Sequence, residues 1–360
     1  MREGVKRFLK RRVLPFFLIF LAAFAFFVAV FVLKCAFVKP AAGALPRSTR
    51  QQGAAGPNIG EKNKRPVEDA YYSYPEWYIV WSYEARAQYL PKNLPSGFPY
   101  FASIGQYWRS YCFICGLTQS RHQFNFGDHL SSFVLGGSFA LEYSIRGAYE
   151  QTIGRLSEWT SSHELVYIRP FYEFHFAHTL KELWKETPLR GKHPIRKWER
   201  KFILSVDYGF EALYAWVLEK ASHLTYGVES ADTYAWIENA PETLFQEFPR
   251  IKTVREVSAH SYVVIIPRYQ EFTDFAEKIA KRDVHFAQIA GNDEIMLTIV
   301  APKKWSYDLA ATDGTLLFTE NFLTQPDLER IALECPVRSL HAVLNTLVSR
   351  GAKIEHIYDY

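Results

Sequence analysis

Cysteine is scarce in this chain: four residues in 360, at Cys35, Cys112, Cys115 and Cys335. That is too few for a fold built on disulfides, and Cys35 has no evident partner. Several chemical signatures are missing as well. There is no G-x-S-x-G, and Gly136-Gly137-Ser138 lacks the strand-turn-helix frame that a nucleophilic serine requires. Neither a G-x-G-x-x-G nor a phosphate-binding loop occurs, which counts against a nucleotide-dependent enzyme. H-E-x-x-H and paired E-x-x-H motifs are absent, so no standard metal-binding helix is matched.

Net positive charge is missing from most of the chain although the total is +4. Residues 1–40 carry eight Lys/Arg against one acid and residues 41–69 carry five against three, which leaves residues 70–360 at −5. A mildly acidic body offers no footprint for a phosphate backbone, and nucleic-acid binding is excluded as an expectation. Long hydrophobic runs are rare too. Leu130–Leu141 is uncharged for twelve residues but too short to span a bilayer.

One run is long enough. Val13–Leu33 holds 21 residues without a charge, and a hydrocarbon core about 30 Å thick takes roughly 20 helical residues. Arg2, Lys6, Arg7, Lys10, Arg11 and Arg12 precede it, and only Lys34 and Lys39 follow closely. Basic flanks stay cytoplasmic, so the reading is a single-pass signal-anchor with the N-terminus inside and the folded portion outside the cytoplasm, periplasmic in a bacterium. A cleaved signal peptide with Ala42-Gly43-Ala44 as its cleavage site competes with this, but the run exceeds the usual 7–15 residues of such a segment. A lipoprotein anchor at Cys35 is disfavoured by Lys34 before it.

The expected organisation is therefore α+β: residues 1–12 a cytoplasmic basic segment, 13–33 a transmembrane helix, 34–69 a flexible tether of Pro, Gly, Ala, Gln and Ser, 70–250 an aromatic-rich α-helical domain, and 251–360 a ferredoxin-like α/β sandwich. Helices are expected from about Pro75, over 100–117, 126–159, 171–185 and 194–226, with short helices over 230–248. The C-terminal part reads as strands at Tyr262–Pro267, Val284–Ala290, Glu294–Val300, Thr315–Phe318 and Lys353–Tyr358, with helices over 270–282 and 326–350. That order, β-α-β-β-(β)-α-β, is the ferredoxin-like one with an extra strand. No internal repeat is visible.

Four constellations invite chemistry. His175, His178 and Glu182 fall on one face if 171–185 is helical, and two imidazoles with a carboxylate can hold a divalent metal; Glu173 and His129 could join them. The same residues equally make an ordinary polar helix face. Cys112 and Cys115 form one C-x-x-C, able to bridge, but no βαβ setting surrounds it, no second pair completes a zinc site, and Gly116 where haem attachment needs His excludes that cofactor. Glu142, Arg146 and Glu150 align at i, i+4 and i+8. Paired carboxylates suggest acid/base work, with Glu142 or Glu173 as the base, while the Arg between them favours an ion-pair ladder. Finally, residues 71–111 are packed with aromatics, among them Trp77, Tyr78, Trp81 and Trp108. They suit either a helical core or a surface resting on the bilayer or on a protein partner.

The reading favoured by these patterns is a membrane-anchored, non-catalytic interaction or assembly component of the cell envelope. The alternatives are a membrane-anchored metal enzyme using the His/His/Glu face and a small-ligand sensor working through the C-terminal domain, the last on fold analogy alone.

Overall fold

The structure is a computed structural model that describes residues 63–155 apart from 66, 91 and 121–125, parts of 176–212, and residues 232–359 apart from 304 and 306–313. It is a mixed helix-and-sheet (α+β) protein with two antiparallel four-stranded sheets. Among the described residues no helix is long and apolar enough to cross a membrane; Val13–Leu33 lies outside them.

The helical layer is built by α1 (Val67–Tyr89), α2 (Tyr100–Ser120) and α3 (Phe126–Tyr149), which pack pairwise on one another. A π-turn at Glu150–Gly154 extends α3. Helix α1 does not open at Pro75 but carries it in its interior. An interior proline costs ~3 kcal/mol, and the burial of Tyr71 and Tyr74 beside it offsets that cost. Gly136 permits the closest approach in the bundle: a Cβ there would fall 2.0 Å from Cε1 of Tyr107. Two further helical pieces follow, α4 (Phe176–Glu186) and residues 201–209, which meet through Leu180, Leu183, Leu204 and Tyr208.

The C-terminal portion starts earlier than expected. Residues 230–248, read as helical, contain strand β1 (Asp232–Glu238) and only one helical turn, Leu244–Glu247. Then come β2 (Lys252–Ser258), β3 (Ser261–Pro267), α5 (Gln270–Ala280) and β4 (His285–Ile289). The second set is β5 (Glu294–Pro302), β6 (Thr315–Asn321), β7 (Leu328–Pro336), α6 (Leu340–Ser349) and β8 (Lys353–Ile357). Where a single ferredoxin-like sheet was expected over 251–360, the described residues form two. Strands β1, β2 and β7 add three members that periodicity did not mark, and the eight strands divide into two sheets.

The two sheets have the same topology. Their orders are β2-β3-β1-β4 and β6-β7-β5-β8, so each half is a β-β-β-α-β unit with its first strand between its third and fourth. The match reaches individual hydrogen bonds. The β1–β4 ladder is interrupted after Trp236 and the β5–β8 ladder after Thr298, at equivalent positions. The β2–β3 and β6–β7 ladders are interrupted between Thr253 and Arg255 and between Leu316 and Phe318, again equivalent, and β2–β3 has one further interruption between Glu256 and Ser258 that β6–β7 lacks. Past β4, Ala290 N–H donates to Tyr234 O at 2.7 Å; past β8, Tyr358 N–H donates to Met296 O at 2.9 Å. Each helix is followed by a left-handed residue, Asp283 (φ 60°) and Gly351 (φ 84°). The buried helix faces correspond as Phe272, Phe275, Ala276, Ile279 and Leu340, Val343, Leu344, Leu347, and they share one core across both halves. Because α5 packs on β8 and α6 on β4, neither half closes its core alone.

The beginning of the described chain is tied to this pair. Arg65 N–H donates to Ala290 O at 3.0 Å, and Asn292 Nδ2 donates to Arg65 O at 2.7 Å. Residues 64–65, which composition alone assigns to the tether, thus rest against the turn joining the two halves.

Candidate functional site

The densest polar arrangement lies between the helical layer and the second sheet. Strands β6 and β7 alternate, which turns Glu320, Arg330 and Glu334 toward the helices. From the other side α1 presents Tyr71, Tyr74, Tyr78 and Trp81 at helical spacing. The Tyr71 hydroxyl donates to Glu334 and the Tyr74 hydroxyl donates to Glu320 Oε2 at 2.6 Å. Helix α2 adds Gln106, whose Nε2 donates to Asn321 O at 3.0 Å and to Glu320 Oε2 at 3.4 Å. Arg330 completes the seam. Its Nε and Nη2 donate to the two carboxylate oxygens of Glu355 at 2.5 and 2.8 Å, and its guanidinium lies 3.8 Å over the Trp81 ring and 4.8 Å from that of Phe322. Such fork-and-stack geometry is particular to arginine. Burial raises the pKa of Glu320, and Arg330 at 3.8 Å opposes the rise. Burial, with Glu320 second, also holds the Tyr74 phenol well above its ordinary value. Beside the seam a cleft of about 370 Å³, counting its open mouth, is lined by Tyr78, Trp81, Gln106, Asn321, Phe322 and Arg330 among others.

At the far end of the same interface Trp77 lies against His356, ring centroids 4.1 Å apart, and His356 meets Tyr358 edge-on. Burial, with Arg268 adding to it, pushes the His356 imidazole down to about 3. Arg268 Nε stands 3.9 Å from Asp359 Oδ2. Burial raises the Asp359 carboxyl to about 7, the largest influence, while Arg268 and the backbone of Tyr269 pull the other way. Tyr269 itself has φ 68°, a costly conformation for a bulky residue.

A second buried cluster sits inside the helical layer. His129 Nε2 is 2.9 Å from the Tyr72 hydroxyl, and its Nδ1 is 3.0 Å from the Tyr111 hydroxyl and 3.7 Å from Cys115 Sγ. Proton counting assigns the tautomer. The single hydroxyl proton of Thr118 goes to the carbonyl of Ile114 or Cys115, so Tyr72 donates to Thr118 Oγ1 at 2.7 Å. His129 Nε2–H then donates to Tyr72, and Nδ1 accepts.

The residues singled out from sequence fall in different places. Glu142 is buried, accepts from Arg86 Nη1 at 3.0 Å and forms an ion pair with Arg146, whose Nε stands 3.1 Å away, and Arg146 also pairs with Asp207. It belongs to an ion-pair network that joins α1, α3 and residues 201–209, not to an open acid/base site. Glu173 and His175 lie outside the described residues. His178 is exposed and Glu182 half-buried on α4, whereas His129 sits among tyrosines in another layer. Among the described residues no group of three or more His, Cys, Asp or Glu could hold a metal. Cys112 and Cys115 are free thiols on α2, the first half-buried and the second buried. Tyr78 and Trp81 are buried, and Trp77 and Trp108 half-buried against other rings. The structure thus buries Tyr78 and Trp81 and leaves Trp77 and Trp108 partly open.

Sequence reading missed Glu320, Arg330, Glu334, Glu355, His356 and Asp359. Glu320, Arg330, Glu334 and His356 meet residues of α1 about 250 positions away (246 for Tyr74–Glu320), Glu355 and Asp359 pair with Arg330 and Arg268, and no local pattern announces such pairings. The available signal was the charges themselves: Glu320, Arg330 and Glu334 interrupt strands whose remaining inward positions are apolar. Comparison with known protein families, curated proteins and solved structures finds no match to this chain.

Proposed function

We propose that this is a membrane-anchored, non-catalytic interaction or assembly component, with Val13–Leu33 as the anchor and the α+β body outside the cytoplasm. The observation that carries the non-catalytic side is how five buried or half-buried acids are used. Glu142, Asp207, Glu320, Glu334 and Glu355 are each bonded to an arginine or a tyrosine from another element. Groups held in that way act as fasteners between layers. The anchor rests on the hydrophobic run and its basic flank.

A topology experiment tests the reading. Full-length chain carrying a C-terminal tag is expressed in a cellular host, and intact cells, spheroplasts and permeabilised cells are treated with protease. The expected result is a carbonate-resistant membrane protein whose tag is cleaved from outside the cytoplasmic membrane. Deletion of residues 13–33 should release it. A tag accessible only from the cytoplasm, or full-length chain in the soluble fraction, overturns the proposal. Metal analysis of the same preparation addresses the enzyme alternative: stoichiometric metal that His178→Ala removes would replace the non-catalytic reading.

A further inference from the structure

Among the described residues before β1, four of the nine exposed large apolar side chains, including the two most exposed, fall within residues 194–209. Residues 194–195, 197–199 and 201–209 are helical, and within them Ile195 is 74 % exposed, Trp198 53 %, Phe202 70 % and Val206 44 %. Offsets of three, four and four keep these four within one narrow stripe of a helix. The opposite side is already used. Leu204 and Tyr208 pack on Leu183, Asp207 pairs with Arg146, and the Arg146 guanidinium lies 5.6 Å from the Tyr208 ring. The helix is therefore fastened to α3 and α4 by one face and turns Ile195, Trp198, Phe202 and Val206 outward. Trp184 of α4, 54 % exposed, joins the stripe's border, its Nε1 donating to Ser205 Oγ at 2.8 Å.

The sequence beside this stripe is basic. Residues 190–200 contain Arg190, Lys192, Arg196, Lys197 and Arg200 against Glu199 alone, within a body that is acidic overall, while Lys201 is buried against Trp184. Large apolar and aromatic side chains flanked by Lys and Arg are the composition of helices that lie in the headgroup region of anionic bilayers. A protein partner of the usual kind gives less reason for so concentrated a basic rim. The distance is compatible: the roughly thirty residues between Leu33 and Asn63 span at most ~100 Å even when fully extended.

We propose that the helical residues 194–195, 197–199 and 201–209 form an interfacial face that seats Ile195, Trp198, Phe202 and Val206 in an anionic lipid surface, giving the body a second, reversible contact with the bilayer. This rests on the membrane-anchored reading, and it moves the bilayer-facing aromatics from 71–111, most of which are buried or half-buried, to 184–206.

The test uses full-length chain in lipid nanodiscs, one set neutral phosphatidylcholine and the other with about one part in three anionic phosphatidylglycerol. Amide exchange is followed at 197–209 and, as reference, at α5. The expected result is exchange at 197–209 slowed roughly tenfold by the anionic lipid, with α5 unchanged and with the slowing reduced in high salt. Phe202→Ser, at a site exposed enough not to disturb folding, should abolish most of it, and Ile195→Ser should act in the same direction. Equal exchange in both lipids overturns the proposal. So does slowing that follows the number of chains per disc and ignores lipid charge, which would assign the stripe to a second copy. If the chain fails to enter nanodiscs at all, the anchor reading fails, and the same exchange measurement with added anionic vesicles still decides on the helix.

Discussion

His356 and Asp359 lie three positions apart and both are buried, yet their pH effects on stability run in opposite directions. The histidine falls from an ordinary 6.5 to about 3, so it remains neutral in the folded chain while the unfolded chain takes up its proton. Its contribution is complete above pH 6.5 and is lost as pH falls toward 3. The aspartate rises from 3.8 to about 7, so the folded chain keeps a proton that the unfolded chain releases. That contribution is complete below 3.8 and is lost as pH rises to about 7. Between about 4 and 6.5 the two slopes, each up to about 1.4 kcal/mol per pH unit, oppose one another. His356→Gln should therefore lose stability relative to the parent chain as pH rises through this window, and Asp359→Asn should gain it. Urea unfolding at several pH values measures both differences. Differences that are flat from pH 4 to 6.5 would show that neither group is shifted as its surroundings demand.

Helix α1 illustrates how one element fastens two layers. Its aromatic stripe could be read from residues 74–81, but its start at Val67 and the purpose of its hydroxyls could not. Tyr74 bonds a carboxylate 246 positions later, and a hydrogen bond to a charged group contributes about 1.5–3 kcal/mol. Tyr74→Phe should therefore destabilise the chain by about 2 kcal/mol with an unchanged denaturant slope, since the ring and its packing remain. A loss under about 0.5 kcal/mol would mean that Gln106 and Arg330 already satisfy Glu320. Strand β7 teaches the converse. Leu328–Pro336 reads LERIALECP, with Leu, Glu, Arg and Ala all good helix formers, and it was expected to be helical. It is a central strand because β5 and β6 pair with it along both edges, so tertiary contact overrides local preference. Strand β2 was illegible for another reason: every residue of Lys252–Ser258 is exposed, and a strand without a buried face has no pattern to show.

At the scale of the molecule the repeated β-β-β-α-β unit governs how the C-terminal portion folds. Both halves supply one core, and each helix rests on the last strand of the other half. Separately expressed residues 232–291 and 292–360 should each lack a cooperative thermal transition, whereas the two co-expressed should recover one. A sigmoidal transition in either half alone would show that the shared core is dispensable. The repeat escapes sequence inspection because what recurs is burial, strand register and two ladder interruptions. Equivalent positions pair Trp236 with Thr298 and Phe272 with Leu340, which share little beyond the face they occupy.

The sequence by itself determined what depends on neighbours a few positions away. That includes the long uncharged run with its basic flank, the helical period of α2 and α5, the turn at Gly291-Asn292-Asp293 between two apolar strands, and the Glu142–Arg146 contact at i, i+4. Only the tertiary structure decided which aromatics are interior, which carboxylates meet α1, that β1 and β7 are strands, and that the C-terminal portion is one topology used twice. The division has one physical cause. Periodicity and capping are paid locally along the chain, while desolvation and strand pairing depend on residues hundreds of positions apart, and no local pattern encodes which of them will meet.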